Sequence, residues 1–216
     1  MIPTNIEKLD KFLGGGIKNG IITDIFGSNG SGKTQFVIQL SINSLEQGGH
    51  VYLQDTTGEF RPERMLQIMK ERNIDQSLMD NVKVSRITNS SEQINALSKI
   101  SESNFDLVVI DNITDLFSFE FSKNELTLEK NILFMKYMHS LSELTIHNNM
   151  PTVVTNMIRN IDGLEVENLD KSISMFSHTK IKLSKKGLKY NGKVYSPFGE
   201  NEFSYVITSS GLVNPS

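Results

Sequence analysis

The 216-residue sequence contains no cysteine and no tryptophan. Without cysteine there is no disulfide, no thiolate metal site and no thiol nucleophile. A reducing, cytoplasmic compartment is the matching expectation. No apolar run approaches the ~18 residues of a membrane span. The first residues, Met1-Ile2-Pro3-Thr4-Asn5-Ile6-Glu7, lack the basic-then-apolar order of a secretory leader. No membrane partner is therefore expected. Positive charge is not in excess either: 22 Lys and Arg against 25 Asp and Glu leave a net charge of −3. Any contact with nucleic acid must come from a local basic patch. His50, His139, His147 and His178 show no metal-ligand spacing, so no zinc site is expected.

What is present is ordinary globular composition, 38 % hydrophobic and 22 % charged, in a chain long enough for a sizeable core. One domain over residues 1–216 is expected. Thr4 is read as the cap of a short helix through Lys11, stopped by Gly14-Gly15-Gly16. Residues 21–26 read as a buried strand, 33–45 as a helix and 50–54 as a strand. Pro62 opens a helix to about Arg72. Residues 82–84 make a short strand, and Ser90 with Gln93 makes a capping box for a helix to about Ser101. Leu107-Val108-Val109-Ile110 is the continuous apolar run of a central parallel strand, a long helix covers about 125–147, and 151–155 is another strand. Beyond it, 179–183 alternates with period two, Asn191-Gly192 signals a hairpin turn, and 203–207 is a last strand. The pattern is α/β, with a mainly parallel central sheet flanked by helices and antiparallel strands at the C-terminal end.

One motif carries chemistry. Gly27, Ser28, Asn29, Gly30, Ser31, Gly32, Lys33 and Thr34 match G-x-x-x-x-G-K-[ST] at every fixed position. Glycines let backbone N–H groups wrap a phosphate, the lysine reaches the β/γ-phosphates, and the hydroxyl takes a Mg²⁺ position. The loop follows a strand and opens a helix, which is the context this chemistry needs. Asp111 ends an apolar strand, the place of the acid that holds Mg²⁺ in such proteins. ATP and Mg²⁺ are the implied ligands.

With these residues the chain resembles the RecA-type recombinases, nearest their archaeal RadA/RadB branch. Residues 6–17, Ile-Glu-Lys-Leu-Asp-Lys-Phe-Leu-Gly-Gly-Gly-Ile, resemble that branch's lead-in. Gly32-Lys33-Thr34-Gln35 matches its "GKTQ", Tyr52 to Arg64 resembles "YIDTEGTFRPER", and Thr155-Asn156 resembles its "TNQ". Ser196-Pro197, Glu200-Asn201-Glu202-Phe203 and Gly211 resemble its C-terminal segment. The resemblance implies a RecA-type core, with Gln35 beside the nucleotide and Arg64 packing on the adenine.

Three departures follow. The branch's catalytic glutamate position holds Thr57, and Glu59, two residues on, is the remaining candidate catalytic carboxylate beside Lys33. Slow or absent ATP hydrolysis is expected, because carboxylate assistance is typically worth about 10²–10⁴-fold. Met157 stands where the branch has a glutamine that relays from the γ-phosphate. The chain begins at the ATPase core, without the branch's small N-terminal DNA-binding domain, which resembles RadB and other paralogs.

By the same resemblance, 112–124 and 159–177 sit at the two DNA loops. The first carries Phe117, Phe119, Phe121 and Lys123, whose rings can stack on bases or form a strand face toward the core. The second carries Arg159 and Lys171 against Asp162, Glu165, Glu167 and Asp170. Lys180, Lys182, Lys185 and Lys186 make a better basic cluster, with Lys180 and Lys182 on one strand face.

Two functions are consistent with these residues. One is an ATP-binding recombinase paralog assisting homologous recombination and DNA repair, a slow DNA-dependent ATPase if active. Its partners would be single-stranded DNA, a RadA-type recombinase or another paralog. If subunits stack as a homo-oligomer, residues 196–202 cover a neighbour's nucleotide. The other is a KaiC-like regulatory or assembly module that binds ATP without acting on DNA.

Overall fold

In a computed structural model the chain is described over residues 1–161, 163–196 and 199–215. Its first half runs α1 (Glu7–Leu13), β1 (Ile22–Gly27), α2 (Lys33–Glu46), β2 (Val51–Asp55), α3 (Pro62–Glu71), β3 (Val82–Arg86) and α4 (Ser90–Ser101). β4 (Leu107–Asp111), α5 (Asp115–Glu120), α6 (Thr127–His147), β5 (Thr152–Ile161), β6 (Leu164–Glu167) and α7 (Asp170–Ser174) follow. β7 (Ser177–Lys186), β8 (Lys189–Ser196), β9 (Gly199–Thr208) and β10 (Gly211–Val213) close the chain.

The strands form one sheet in the order β10-β9-β8-β7-β1-β5-β4-β2-β3, with β6 paired to β5. From β7 to β3 every pairing along this order is parallel. The β7–β8, β8–β9 and β9–β10 pairings are antiparallel. This is the mainly parallel α/β sheet expected from the alternation of strands and helices, and it is consistent with the RecA-type core that the resemblance implies.

Helices bury both faces, because a parallel sheet needs cover on each side. Along β4 the alternation is direct. Val109 joins Phe36, Leu40, Met65 and Ile68 in one apolar cluster, while Val108 and Ile110 join Phe117, Phe134 and Tyr137 in the other. On α2, Gln39 is fully buried. Its amide donates to the carbonyls of Thr4 (2.6 Å) and Leu212 (2.9 Å) and accepts from the Leu212 N–H (2.7 Å).

Several local expectations are corrected. Thr4 does not cap α1: the cap position is Ile6, and the Asp10 carboxylate accepts from the N–H groups of Thr4 and Asn5. The capping box on α4 lies one residue earlier than Ser90 and Gln93. Asn89 accepts from the Glu92 N–H, and Glu92 accepts from the Thr88 N–H. Ser90 and Gln93 are buried and bond to Glu120 and the Ile113 carbonyl instead.

Asn191-Gly192 is not a turn. The β7–β8 hairpin turns at Gly187-Leu188, and Gly192 lies mid-strand opposite Leu183 and Phe203. A Cβ on Gly192 would stand 2.0 Å from the Phe203 ring, so this glycine makes room for an aromatic side chain.

The Phe117 row is helical, not extended. Phe117 sits in the core against Phe134 (5.1 Å between centroids) and Tyr137 (5.5 Å), while Phe119 is 81 % exposed. Residues two apart on a helix face different ways, so no common strand face exists. Phe117 is thereby removed from the DNA candidates. Residues 159–177 are not a loop either: they form the end of β5, the antiparallel β6 and the short α7. Asp162 and Pro197 lie outside the described residues.

Candidate nucleotide-binding site

The parallel strands set the site by register. Gly27 pairs with Met157, Asp55 with Asp111, and Ile110 with Val154, so the carboxyl ends of β1, β5, β4 and β2 lie together. Ligands of open parallel sheets bind at such strand ends. A cavity of about 640 Å³ opens there. Its lining includes Gly30, Lys33, Thr34, Glu59, Asp111 and Asp115.

The 27–34 loop is backbone-shaped. Gly32, the residue before α2, has φ +97°, a left-handed conformation that disfavours a side chain. A Cβ on Gly27 would lie 2.1 Å from the Leu183 carbonyl oxygen. The Lys33 ammonium donates to the carbonyls of Gly27 (2.9 Å) and Ser28 (3.2 Å). Burial pushes its pKa down, against the pull of Asp111, Glu59 and Asp115. Among the described residues no carboxylate comes within ion-pair distance of it. A half-buried cation without an ion-pair partner, under a loop of N–H groups, suits a bound anion.

Asp111 is buried at the end of β4. The Thr34 hydroxyl donates to its Oδ2 at 2.8 Å, and the Thr155 hydroxyl donates to Oδ1. Burial raises its pKa; the two hydroxyl donors and Lys33 work the other way. Thr34 and Asp111 together fit a Mg²⁺ ion, held by one hydroxyl and one carboxylate with the remaining positions open to water and phosphate oxygens.

The 55–59 segment turns on itself. The N–H groups of Thr57 (3.1 Å) and Gly58 (2.7 Å) donate to Asp55 Oδ1, and Arg86 lies 3.3 Å from the same oxygen. Thr57 donates its hydroxyl to Asp55 and accepts from the Glu59 N–H. The segment is a turn. It brings the exposed Glu59 to the cavity wall.

Arg64 does not line the cavity. Its guanidinium donates to Gln35 (2.6 Å), Gln67 (2.7 Å) and the carbonyls of Thr208 (2.6 Å) and Ser209 (3.0 Å). Gln35, which does line it, is the link between them.

The basic cluster is split. Lys180 is largely enclosed, 2.5 Å from Glu167, 2.6 Å from Asp170 and 3.5 Å from the fully buried Asp24. It is an internal counter-ion and not a phosphate contact. Lys182 pairs with Glu165 at 2.8 Å. Lys185 and Lys186 are exposed, as are Arg159 and Lys123.

Behind the cavity, Asn156 ties three segments together. It donates to Glu167 and the Asn168 carbonyl, both at 2.7 Å, and accepts from the Thr114 hydroxyl at 2.7 Å. Sequence reading missed Thr155 and Asp115. Strand register would have found Thr155, which follows Val154, the partner of Ile110. No motif marks Asp115.

Residues 1–215 match the protein-family model described as Rad51. The chain belongs to the Rad51 family. It is similar to the DNA repair and recombination protein RadA of Cenarchaeum symbiosum, 35 % identical over 169 residues that cover 73 % of this chain and 42 % of that one. The RadA protein of Aeropyrum pernix is 37 % identical over 169 residues, covering 73 % and 53 %. The DNA repair protein rhp51 of Schizosaccharomyces pombe is 29 % identical over 236 residues, covering 99 % and 64 %. The Rad51-family chain thus spans about half the length of the curated relatives it matches. Among its described residues no helix is long and apolar enough to cross a membrane.

Proposed function

We propose that this chain binds Mg·ATP at residues 27–34 and serves homologous recombination and DNA repair as a RadB-like recombinase paralog with slow ATP turnover. Recombination and repair are the work named for its RadA and rhp51 relatives. The reported relatives give the KaiC-like reading no support.

The observation that carries nucleotide binding is the pairing of two features in one cavity. Lys33 offers a positive charge that has no ion-pair partner among the described residues, and Thr34 bonds directly to Asp111. In this reading the loop N–H groups and Lys33 hold the phosphates, Thr34 and Asp111 hold Mg²⁺, and Gln35, held in place by Arg64, borders the base. ATP supplies the phosphoryl group to be cleaved, and Mg²⁺ neutralises it.

Slow turnover rests on Thr57. Its hydroxyl is engaged by Asp55 and the Glu59 N–H, so it is not free to orient a water molecule. The remaining DNA candidates are Phe119, Lys123, Arg159, Lys185 and Lys186, the exposed members of the expected set.

The test is fluorescence anisotropy of a labelled single-stranded oligonucleotide at low salt, with and without Mg·ATP, beside a titration with a fluorescent ATP analogue. Salt-sensitive DNA binding and micromolar nucleotide binding lost in Lys33→Ala support the reading. Tight nucleotide binding with no DNA binding at tens of micromolar protein removes direct action on DNA.

A further inference from the structure

We propose that Asp115 is the carboxylate that positions and deprotonates the attacking water in this cavity. The inference rests on the nucleotide-binding reading above and deepens it by naming the residue behind its slow turnover.

Three groups compete for the role. Thr57 has no carboxylate, and its hydroxyl is spent within its own turn. Glu59 lines the cavity but is solvent-exposed on a turn. Asp115 lines the same cavity from a rigid element, as the first residue of α5. That helix is pinned on the core side by Phe117 and on the polar side by Thr114, which donates to Asn112 and Asn156. A catalytic group on a packed helix holds its geometry better than one on an exposed turn.

The Asp115 carboxylate is also free to accept a proton. Among the described residues no side chain hydrogen-bonds to it or forms an ion pair with it within 4 Å. The charges facing it are Arg159 from β5, Glu59 from the turn after β2 and Lys33 from α2. Burial raises its pKa above the usual aspartate range, and Glu59 adds to that; Arg159 and Lys33 oppose it. A carboxylate with a raised pKa is a stronger base, closer to the working pH.

The chemistry balances without another reactant. The water oxygen bonds to the γ-phosphorus, and the bond from that phosphorus to the β–γ bridging oxygen breaks, its electron pair leaving with ADP. One water proton passes to the Asp115 carboxylate, and the other stays on inorganic phosphate. Asp115 then releases its proton to solvent.

The experiment compares wild type, Asp115→Asn, Asp115→Ser, Asp115→Glu and Glu59→Gln, each checked for folding by thermal melt. Labelled-ATP turnover is followed over hours, with and without single-stranded DNA, and affinities are measured for a non-hydrolysable ATP analogue and for ADP. Asp115→Asn and Asp115→Ser are expected to lose turnover by about 10²-fold or more. Asp115→Glu is expected to recover part of it. Removing a negative charge beside the γ-phosphate should tighten the ATP analogue by roughly three- to tenfold while leaving ADP unchanged. Wild-type turnover should rise with pH through an acid limb that is missing in Asp115→Asn.

If wild type binds no nucleotide, the binding reading itself fails. If it binds ATP but never hydrolyses it, or if Asp115→Asn turns over like wild type, the assignment of Asp115 is overturned. Loss of both ATP and ADP affinity in Asp115→Asn would show a structural role and overturn it too. Loss of turnover in Glu59→Gln with retention in Asp115→Asn transfers the role to Glu59.

Discussion

Thr155 and Thr34 hold the Asp111 carboxylate from opposite sides, one hydroxyl on each oxygen. The carboxylate is buried, so these donors compensate much of the water it has lost. Thr34 sits on the phosphate loop side and Thr155 on β5, so Asp111 joins the two.

The first prediction concerns that pair. Thr155→Val keeps the shape but leaves Oδ1 without its hydroxyl donor. An unsatisfied buried acceptor costs about 1–3 kcal/mol, read as a lower unfolding midpoint in urea. Asp111→Asn should instead spare the fold and abolish the Mg²⁺ dependence of nucleotide binding. An unchanged Mg²⁺ dependence would exclude Asp111 as a ligand.

The two phenylalanines of α5 should behave differently. Phe117→Ala opens a hole beside Phe134 and Tyr137 and should cost about 3–5 kcal/mol. Phe119→Ala should leave stability within about 0.5 kcal/mol, as exposed positions usually do. A loss of single-stranded DNA affinity in Phe119→Ala alone would show that the ring stacks on bases.

The lysines divide in the same way. Lys180→Ala strips the counter-ion from Asp24, Glu167 and Asp170 and should cost about 3 kcal/mol. Lys185→Glu with Lys186→Glu should leave the melt unchanged and weaken single-stranded DNA binding by roughly tenfold at low salt. Equal affinity in that double variant would move the DNA interface elsewhere.

Asp24 predicts a pH effect. Burial, reinforced by the Glu167 carboxylate, holds its pKa well above the usual aspartate range, and Lys180 opposes the shift only in part. Because the folded value lies above the unfolded one, its contribution is fully present below the unfolded pKa of about 4. It is lost as pH rises through the folded value. Asp24→Asn should flatten the stability–pH curve on that alkaline side. The Lys180 pKa is also raised, so its own contribution persists through neutrality and is lost only at high pH. Chemical denaturation between pH 4 and 9 measures the Asp24 effect, and the Lys180 contribution should stay constant across that range.

Gly192→Ala places a methyl against the Phe203 ring and should cost about 1–3 kcal/mol through overpacking. In the Phe203→Leu background the penalty should shrink, since the ring is what a Cβ would meet.

Much of this was legible from the sequence. The phosphate loop, its helix and Asp111 carry dense local signals: glycine spacing, a lysine, and a wholly apolar strand before an acid. The misreadings share a cause, which is that local patterns do not report tertiary partners. Asn191-Gly192 looks like a turn until the Phe203 ring is placed over it. Phe117 and Phe119 look alike until α5 turns one inward. Lys180 looks like surface charge until Asp24, far off in sequence but its partner on the neighbouring strand β1, is buried beneath it. Asp115 carries no motif, and only the cavity reveals it.

Gln39 joins backbone from residue 4 and residue 212 to the helix that follows the phosphate loop. Arg72 adds a bond to the Ser210 carbonyl, and Asn43 one to that of Pro3. The segments at residues 3–4 and 210–212 are therefore stitched to the same scaffold that carries Lys33 and Thr34. Detaching either segment strips partners from a buried amide, so its opening cannot stay local. Amide protons near residues 2 and 212 should exchange with solvent as slowly as those of the α2 interior, and a ligand that steadies the loop should slow all three together.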